Sequence, residues 1–194
     1  LIGDNGFGGL YVEQYLLSTS GPIAENNLYY LQEVDRLAGL AGIPVECPYF
    51  YHFVGTSAKM QPYAQARSAI EDVWDELTSQ AQALSGAAPK PVLVQTGGDV
   101  DTVTDLYQQV QAQYDLTVLR GGIIATHQRI WPIHDGNIHP DGPTGILIGE
   151  VCGIAIREVE AGRDWTVTAT VTKSGATVTV AFDLRPGETL INRA

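Results

Sequence analysis

Apolar residues recur at helical spacing in several long stretches, and short apolar runs separate them. From Ala24 to Ala41, Leu28, Leu31, Val34, Ala38 and Ala41 share one face, with Gly42 as the stop. The clearest period runs from Pro62 to Leu84, where Tyr63, Ala66, Ile70, Val73, Trp74, Leu77, Ala81 and Leu84 form the stripe and Pro62 takes a first-turn position. A further helix is expected from Thr102 to Tyr114 through Val103, Leu106 and Val110. Another begins near Pro143, capped by Asp141 or Gly142 and burying Leu147, Val151, Ile154 and Ala155. Between these lie strand candidates: the aromatic-rich run Ile43 to Val54, the nearly continuous Lys90 to Thr96, and one or both of Leu116–Leu119 and Gly122–Ala125. Leu1-Ile2 read as the end of a strand that enters the Gly-rich turn Gly3 to Gly9 and then an amphipathic stretch, Leu10 to Leu17.

Strand and helix therefore alternate up to Val159. This order predicts an α/β fold with right-handed crossovers: a three-layer sandwich around a parallel, doubly wound sheet. In such a sheet the loops after the strands meet at one edge, which would gather Asn5, Ser57, Asp99 and His139. After Gly162 the period changes to two. Trp165 to Val171 and Thr177 to Phe182 alternate around Lys173-Ser174-Gly175 and predict a small C-terminal β-hairpin. The chain divides accordingly into an α/β domain over 1–162 and a hairpin extension over 163–194. Two residues are short for a central strand and a lone hairpin is marginal in water. Both ends thus predict a larger protein or a homo-oligomer, with Trp165–Phe182 near the contact.

The charge balance narrows the partners. Eleven Lys and Arg stand against 22 Asp and Glu, for a formal net charge of −11 over 194 residues. A nucleic-acid partner needs clustered cations to displace counterions, so none is expected. No apolar run is long enough to span a bilayer, and no membrane insertion is expected. Cys47 and Cys152 sit among apolar neighbours; buried free thiols are the expectation, and sequence alone leaves a bridge open. No spacing of Cys or His suggests a metal.

The stretch richest in chemistry is Ile130 to Glu150, IWPIHDGNIHPDGPTGILIGE, a turn-rich run after a strand that passes straight into a helix. Within it Asp135 is close enough in sequence to His139 to fix an imidazole tautomer, the orienting half of a nucleophile–His–Asp arrangement. His134 and Trp131 flank the pair. Upstream, His52 precedes Gly55-Thr56-Ser57 at the end of the aromatic run, a position open to a core histidine or to a site residue.

Taken together, these blocks resemble the SGNH hydrolase superfamily, in particular its phage-type carbohydrate-esterase-like members. IGDNG resembles the nucleophile block, FVGTSAK the glycine-containing oxyanion block, KPVLVQTGG a later strand, and DGNIHPDGPTGILIGEV the final Asp–His block. The resemblance implies an SGNH/flavodoxin-like fold, a Ser-His-Asp triad acting on sugar esters, and no metal or cofactor. It assigns His139 and Asp135 as the base pair, Asn5 to the nucleophile slot and Ser57 to the oxyanion block. Gly55, His52, His134 and Trp131 are the substrate-binding candidates.

The departures shift the expected function. An amide at Asn5 cannot replace an activated hydroxyl, Ser57 stands where an asparagine donor is expected, and three residues rather than two separate Asp135 from His139. The favoured expectation is a catalytically impaired, glycan-binding domain that recognises cell-surface polysaccharide or O-acetylated glycan. It would be extracellular or virion-associated and work beside other subunits or domains of one assembly. Tyr29, Tyr30, Tyr49, Phe50, Tyr51 and Trp131 offer rings for stacking on sugar. The alternatives are a live O-acetylesterase, with Ser57, Ser18 or Ser20 as nucleophile, and a purely structural domain.

Overall fold

The computed structural model describes residues 22–53, 62–96, 106–131, 140–165 and 169–182. In chain order these form α1 (Pro22–Ala41), β1 (Tyr49–His52), α2 (Tyr63–Ser85), β2 (Lys90–Gln95), α3 (Leu106–Leu119), β3 (Ile123–His127), α4 (Gly142–Glu160), β4 (Ala169–Ser174) and β5 (Thr177–Phe182). The expected first strand at Leu1-Ile2 and the stretch Leu10 to Leu17 lie outside the described residues.

β1, β2 and β3 form a parallel sheet in that order, flanked by helices. Strand alternation divides the side chains. Phe50 packs with Ile70, Trp74 and Leu116 against α2 and α3, while Tyr49, Val92 and Ile123 pack with Ile148, Cys152 and Ala155 of α4. α1 packs on α2. Between β2 and β3 the register shifts after Leu93, so that Ile124 and Thr126 take successive partners and Ala125 is the extra residue of a bulge.

The α2 stripe is the one the spacing predicts: Ala66, Ile70, Val73, Trp74 and Ala81 are buried. Of the two strand candidates left open before the chemistry-rich stretch, the run at Ile123 pairs into the sheet and Leu116–Leu119 is the last turn of α3, which extends past the expected end at Tyr114. The buried face of α3 is Gln109, Ala112, Gln113, Leu116 and Thr117, so polar residues complete a stripe that apolar spacing alone leaves too short. On α4 the period is right but the phase differs. Ile148, Cys152 and Ala155 are buried, whereas Leu147 and Ile154 are 47% and 39% exposed. The aromatic run also yields a shorter strand, four residues from Tyr49. Pro44 and Pro48 bring no N–H to a ladder, and pairing starts where Lys90 N donates to Pro48 O at 2.9 Å.

Caps set the helix ends. Asp141 accepts from Thr144 N at 2.7 Å ahead of Pro143, satisfying an orphan N–H of the α4 first turn. Gly121 (φ 60) ends α3 in the left-handed region, and Gly122 N then donates to Thr117 O at 2.9 Å. The hairpin β4–β5 turns at Gly175-Ala176, with Gly175 at φ 59. By register Val171, Val178 and Val180 share one face, and all three are exposed (63%, 58% and 45%).

Gly122 tests the packing of the sheet entrance. A Cβ there would lie 2.5 Å from both the Pro91 ring and the Pro91 carbonyl oxygen. Gly122→Ala is therefore expected to destabilise the fold by about 1–3 kcal/mol. Gly153→Ala, in a helix with nothing within 4 Å, is expected to stabilise it by about 0.5–1 kcal/mol. Urea unfolding of the two variants checks the sign of each.

Candidate functional site at the carboxyl edge of the sheet

Because the three strands are parallel, His52, Gln95-Thr96 and His127-Gln128 end them at one edge. The crossover helices run back antiparallel, so the first turns of α2 and α3 lie at that edge too. Pro62 gives α2 no side-chain cap, and Gln108 of α3 supplies one instead: Tyr63 N donates to Gln108 Oε1 at 2.7 Å. Tyr63 Oη in turn donates to Asp115 Oδ2 at 2.6 Å. That bond, with a second from Gln111 and the nearby Arg67, holds the Asp115 carboxyl below the usual range.

Gln113 finishes β2. Thr96 N lies beyond the last β1–β2 pair and donates to Gln113 Oε1 at 3.1 Å, while Gln95 Nε2 donates to Val110 O at 3.1 Å. Thr117 Oγ1 donates to Gln113 O at 2.7 Å. The polar stripe of α3 is thus partly a splice between helix and strand end.

His52 is 3% exposed. Trp74 Nε1 donates to its Nδ1 at 3.0 Å, and the two rings meet edge to face at 5.2 Å. An acceptor at Nδ1 places the proton of the neutral ring on Nε2. Burial pushes the imidazole pKa down to about 4, so the ring is neutral near pH 7.

Five buried side-chain atoms among the described residues have no hydrogen-bond partner, and four of them belong to His52 (Nε2), Thr96 (Oγ1) and Gln109 (Nε2 and Oε1). The fifth, Gln80 Oε1, is far along α2. Each such atom costs about 1–3 kcal/mol. Proteins retain unpartnered groups of this kind mainly where a ligand, ion or water completes them. Gln109 stands one residue before Val110 and one turn before Gln113, the two α3 residues that bond β2, which puts it beside the Thr96 end of that strand. All three side chains are uncharged; by register His52 stands level with Leu93, three residues short of Thr96 along the sheet.

Of the residues singled out from sequence, His52 and Trp131 are described. Trp131 is half-buried, its Nε1 donating to Thr126 Oγ1 at 2.9 Å, and it packs beside the α4 cluster. Asn5, Gly55, Ser57, His134, Asp135 and His139 lie outside the described residues. Tyr29 and Tyr51 are 62% and 55% exposed, whereas Tyr49 and Phe50 are half-buried in the two clusters. Sequence reading missed Thr96, Gln109 and Gln113. The spacing of four through Gln109, Gln113 and Thr117, beside Ala112 and Leu116, is the signal that would have found the two glutamines. Cys47 and Cys152 are unbridged; burial raises both thiols, Cys152 to about 11, which keeps them protonated and unreactive. Among the described residues no three His, Cys, Asp or Glu side chains gather as a metal site, and no helix is long and apolar enough to cross a membrane. No family model, curated protein or solved structure matches the chain.

The His52 geometry has a pH signature. Its folded pKa of about 4 lies below the ordinary imidazole value of 6.5, so between these values the unfolded chain binds more protons. Stability is unaffected above pH 6.5 and falls as pH drops toward 4, by about 3 kcal/mol in total. His52→Phe lacks this titration. Urea unfolding of both proteins at pH 7 and pH 4 is expected to show the larger loss in the wild type; equal losses would place the ring in water.

Proposed function

We propose that this chain is an SGNH-hydrolase-like domain that binds neutral carbohydrate at the carboxyl edge of its sheet, with esterase chemistry impaired at the nucleophile position. The observation that carries this reading is the set of buried, uncharged and unpartnered polar atoms on His52, Thr96 and Gln109. Open α/β sheets bind ligands at that edge, and sugar hydroxyls and acetamido groups both donate and accept. Three adjacent parallel strands joined through helices are compatible with an open, doubly wound α/β sheet. On this reading the sheet is the middle layer of a three-layer sandwich, with α2 and α3 on one side and α4 on the other.

Within that frame Asp135 and His139 are the retained base pair and Asn5 the lost nucleophile. Loss of a triad nucleophile removes about six orders of magnitude of kcat in the subtilisin case, so binding is the function that survives. The exposed valine face of β4–β5 is the surface for other domains or subunits of an extracellular or virion-borne assembly.

Gln109 separates function from stability. Gln109→Leu removes two unpartnered atoms at similar volume, and is expected to raise stability by about 1–3 kcal/mol while weakening binding on an array of acetylated glycans. The wild type is expected to leave an aryl acetate unhydrolysed. Lower stability with unchanged glycan binding would remove the site assignment. Ester turnover abolished by His139→Ala would make the domain an esterase instead.

A further inference from the structure

His52 poses a specific question. It satisfies the Trp74 N–H, yet leaves its own Nε2–H buried without an acceptor. One buried donor is satisfied while another is left bare. Phenylalanine at this position would orphan the buried Trp74 N–H instead, so either ring leaves one donor without a partner. The count of satisfied donors within the fold therefore does not by itself select the imidazole.

The geometry points to His52 as a preset hydrogen-bond donor, its Nε2–H directed to an oxygen of bound ligand, with Trp74 as the positioning residue that fixes the tautomer. The two ring nitrogens diverge, so Nε2–H is directed away from the indole that holds Nδ1. His52 is the last residue of β1, where the chain leaves the sheet at the candidate site. Trp74 is itself enclosed: it is fully buried, meets Phe50 edge to face at 5.6 Å, and lies under the Arg120 guanidinium, 5.9 Å from the ring centroid. A donor held by such a ring needs little reorganisation when an acceptor arrives, and in a dry site its bond is stronger than in water. Its charge does not change near neutral pH, because burial keeps the ring neutral there. The acceptor is accordingly a neutral hydroxyl or carbonyl oxygen, not a group that demands a cation.

The choice of ligand rests on the carbohydrate reading, whereas the tautomer does not. Nitrogen-15 NMR of the full chain tests both. In the free protein at pH 7, His52 is expected to show a protonated Nε2 and a bare Nδ1, and Trp74→Phe is expected to release the ring to a tautomer mixture. On titration with N-acetylglucosamine or glyceryl triacetate the His52 Hε2 signal is expected to move downfield and exchange more slowly with water. His52→Phe is expected to weaken N-acetylglucosamine binding about tenfold, the loss of one hydrogen bond. A free protein with the proton on Nδ1 overturns the inference, as does undiminished affinity in His52→Phe. Shifts at the Thr96 and Gln109 amides with Nε2 unmoved overturn the donor role and leave the carbohydrate site standing. Silence at every one of these signals with both probes overturns the two together.

Discussion

The hydrogen bond from the Trp74 indole to His52 Nδ1 is the constraint on which the best-defined part of the molecule depends. It joins the middle of α2 to the end of β1 across the sheet face, inside a low-dielectric cluster where an unmade bond would be costly. Two large rings, an aliphatic wall from Ile70 and Leu116, and a cation over the indole all meet there. Arg120 is held in turn by Asp75 at 2.6 Å, so the cation is anchored to the helix that carries the ring. Moving Trp74 would uncouple helix, strand and imidazole at once.

α3 shows the complementary device. Its buried face gives up apolar area at Gln109, Gln113 and Thr117, and Gln113 uses the exchange to finish the β2 ladder at Thr96. Gln109 has no such use within the described residues: both its polar atoms are buried and bare. The contrast between neighbours one turn apart is informative. The same residue type is spent on the fold in one position and left available in the other.

These differences explain what could be read in advance. α2 was legible because its stripe is long, apolar and closed by Gly86 in the left-handed region. β2 was legible because Val92, Leu93 and Val94 are covered on both faces, leaving no alternation to misread. α3 was misread at its end because Leu116-Thr117-Val118-Leu119 has strand composition, and burial by tertiary packing, not propensity, decides such a short run. α4 was misjudged in phase because apolar residues surround it, so periodicity alone gives no unique inward face. At the site, sequence drew attention to His52 through its place before a glycine turn. It could not reveal the Trp74 partner 22 residues away, nor that glutamines would occupy a core face.

The global charge decides which ligands the proposed site can favour. A chain with a formal charge of −11 repels anions as they approach. The N-termini of α2 and α3 oppose that field only locally, with roughly half a positive charge each that fades within a turn. His52 adds no charge, since burial keeps it neutral, and the other bare groups are an alcohol and an amide. A phosphate or an acidic sugar would give up strong hydration and find no full positive charge among these groups in return. A neutral polyol or acetylated sugar gives up only hydrogen bonds to water, which His52, Thr96 and Gln109 can replace. The uncharged side chains and the net charge therefore both disfavour an anionic ligand.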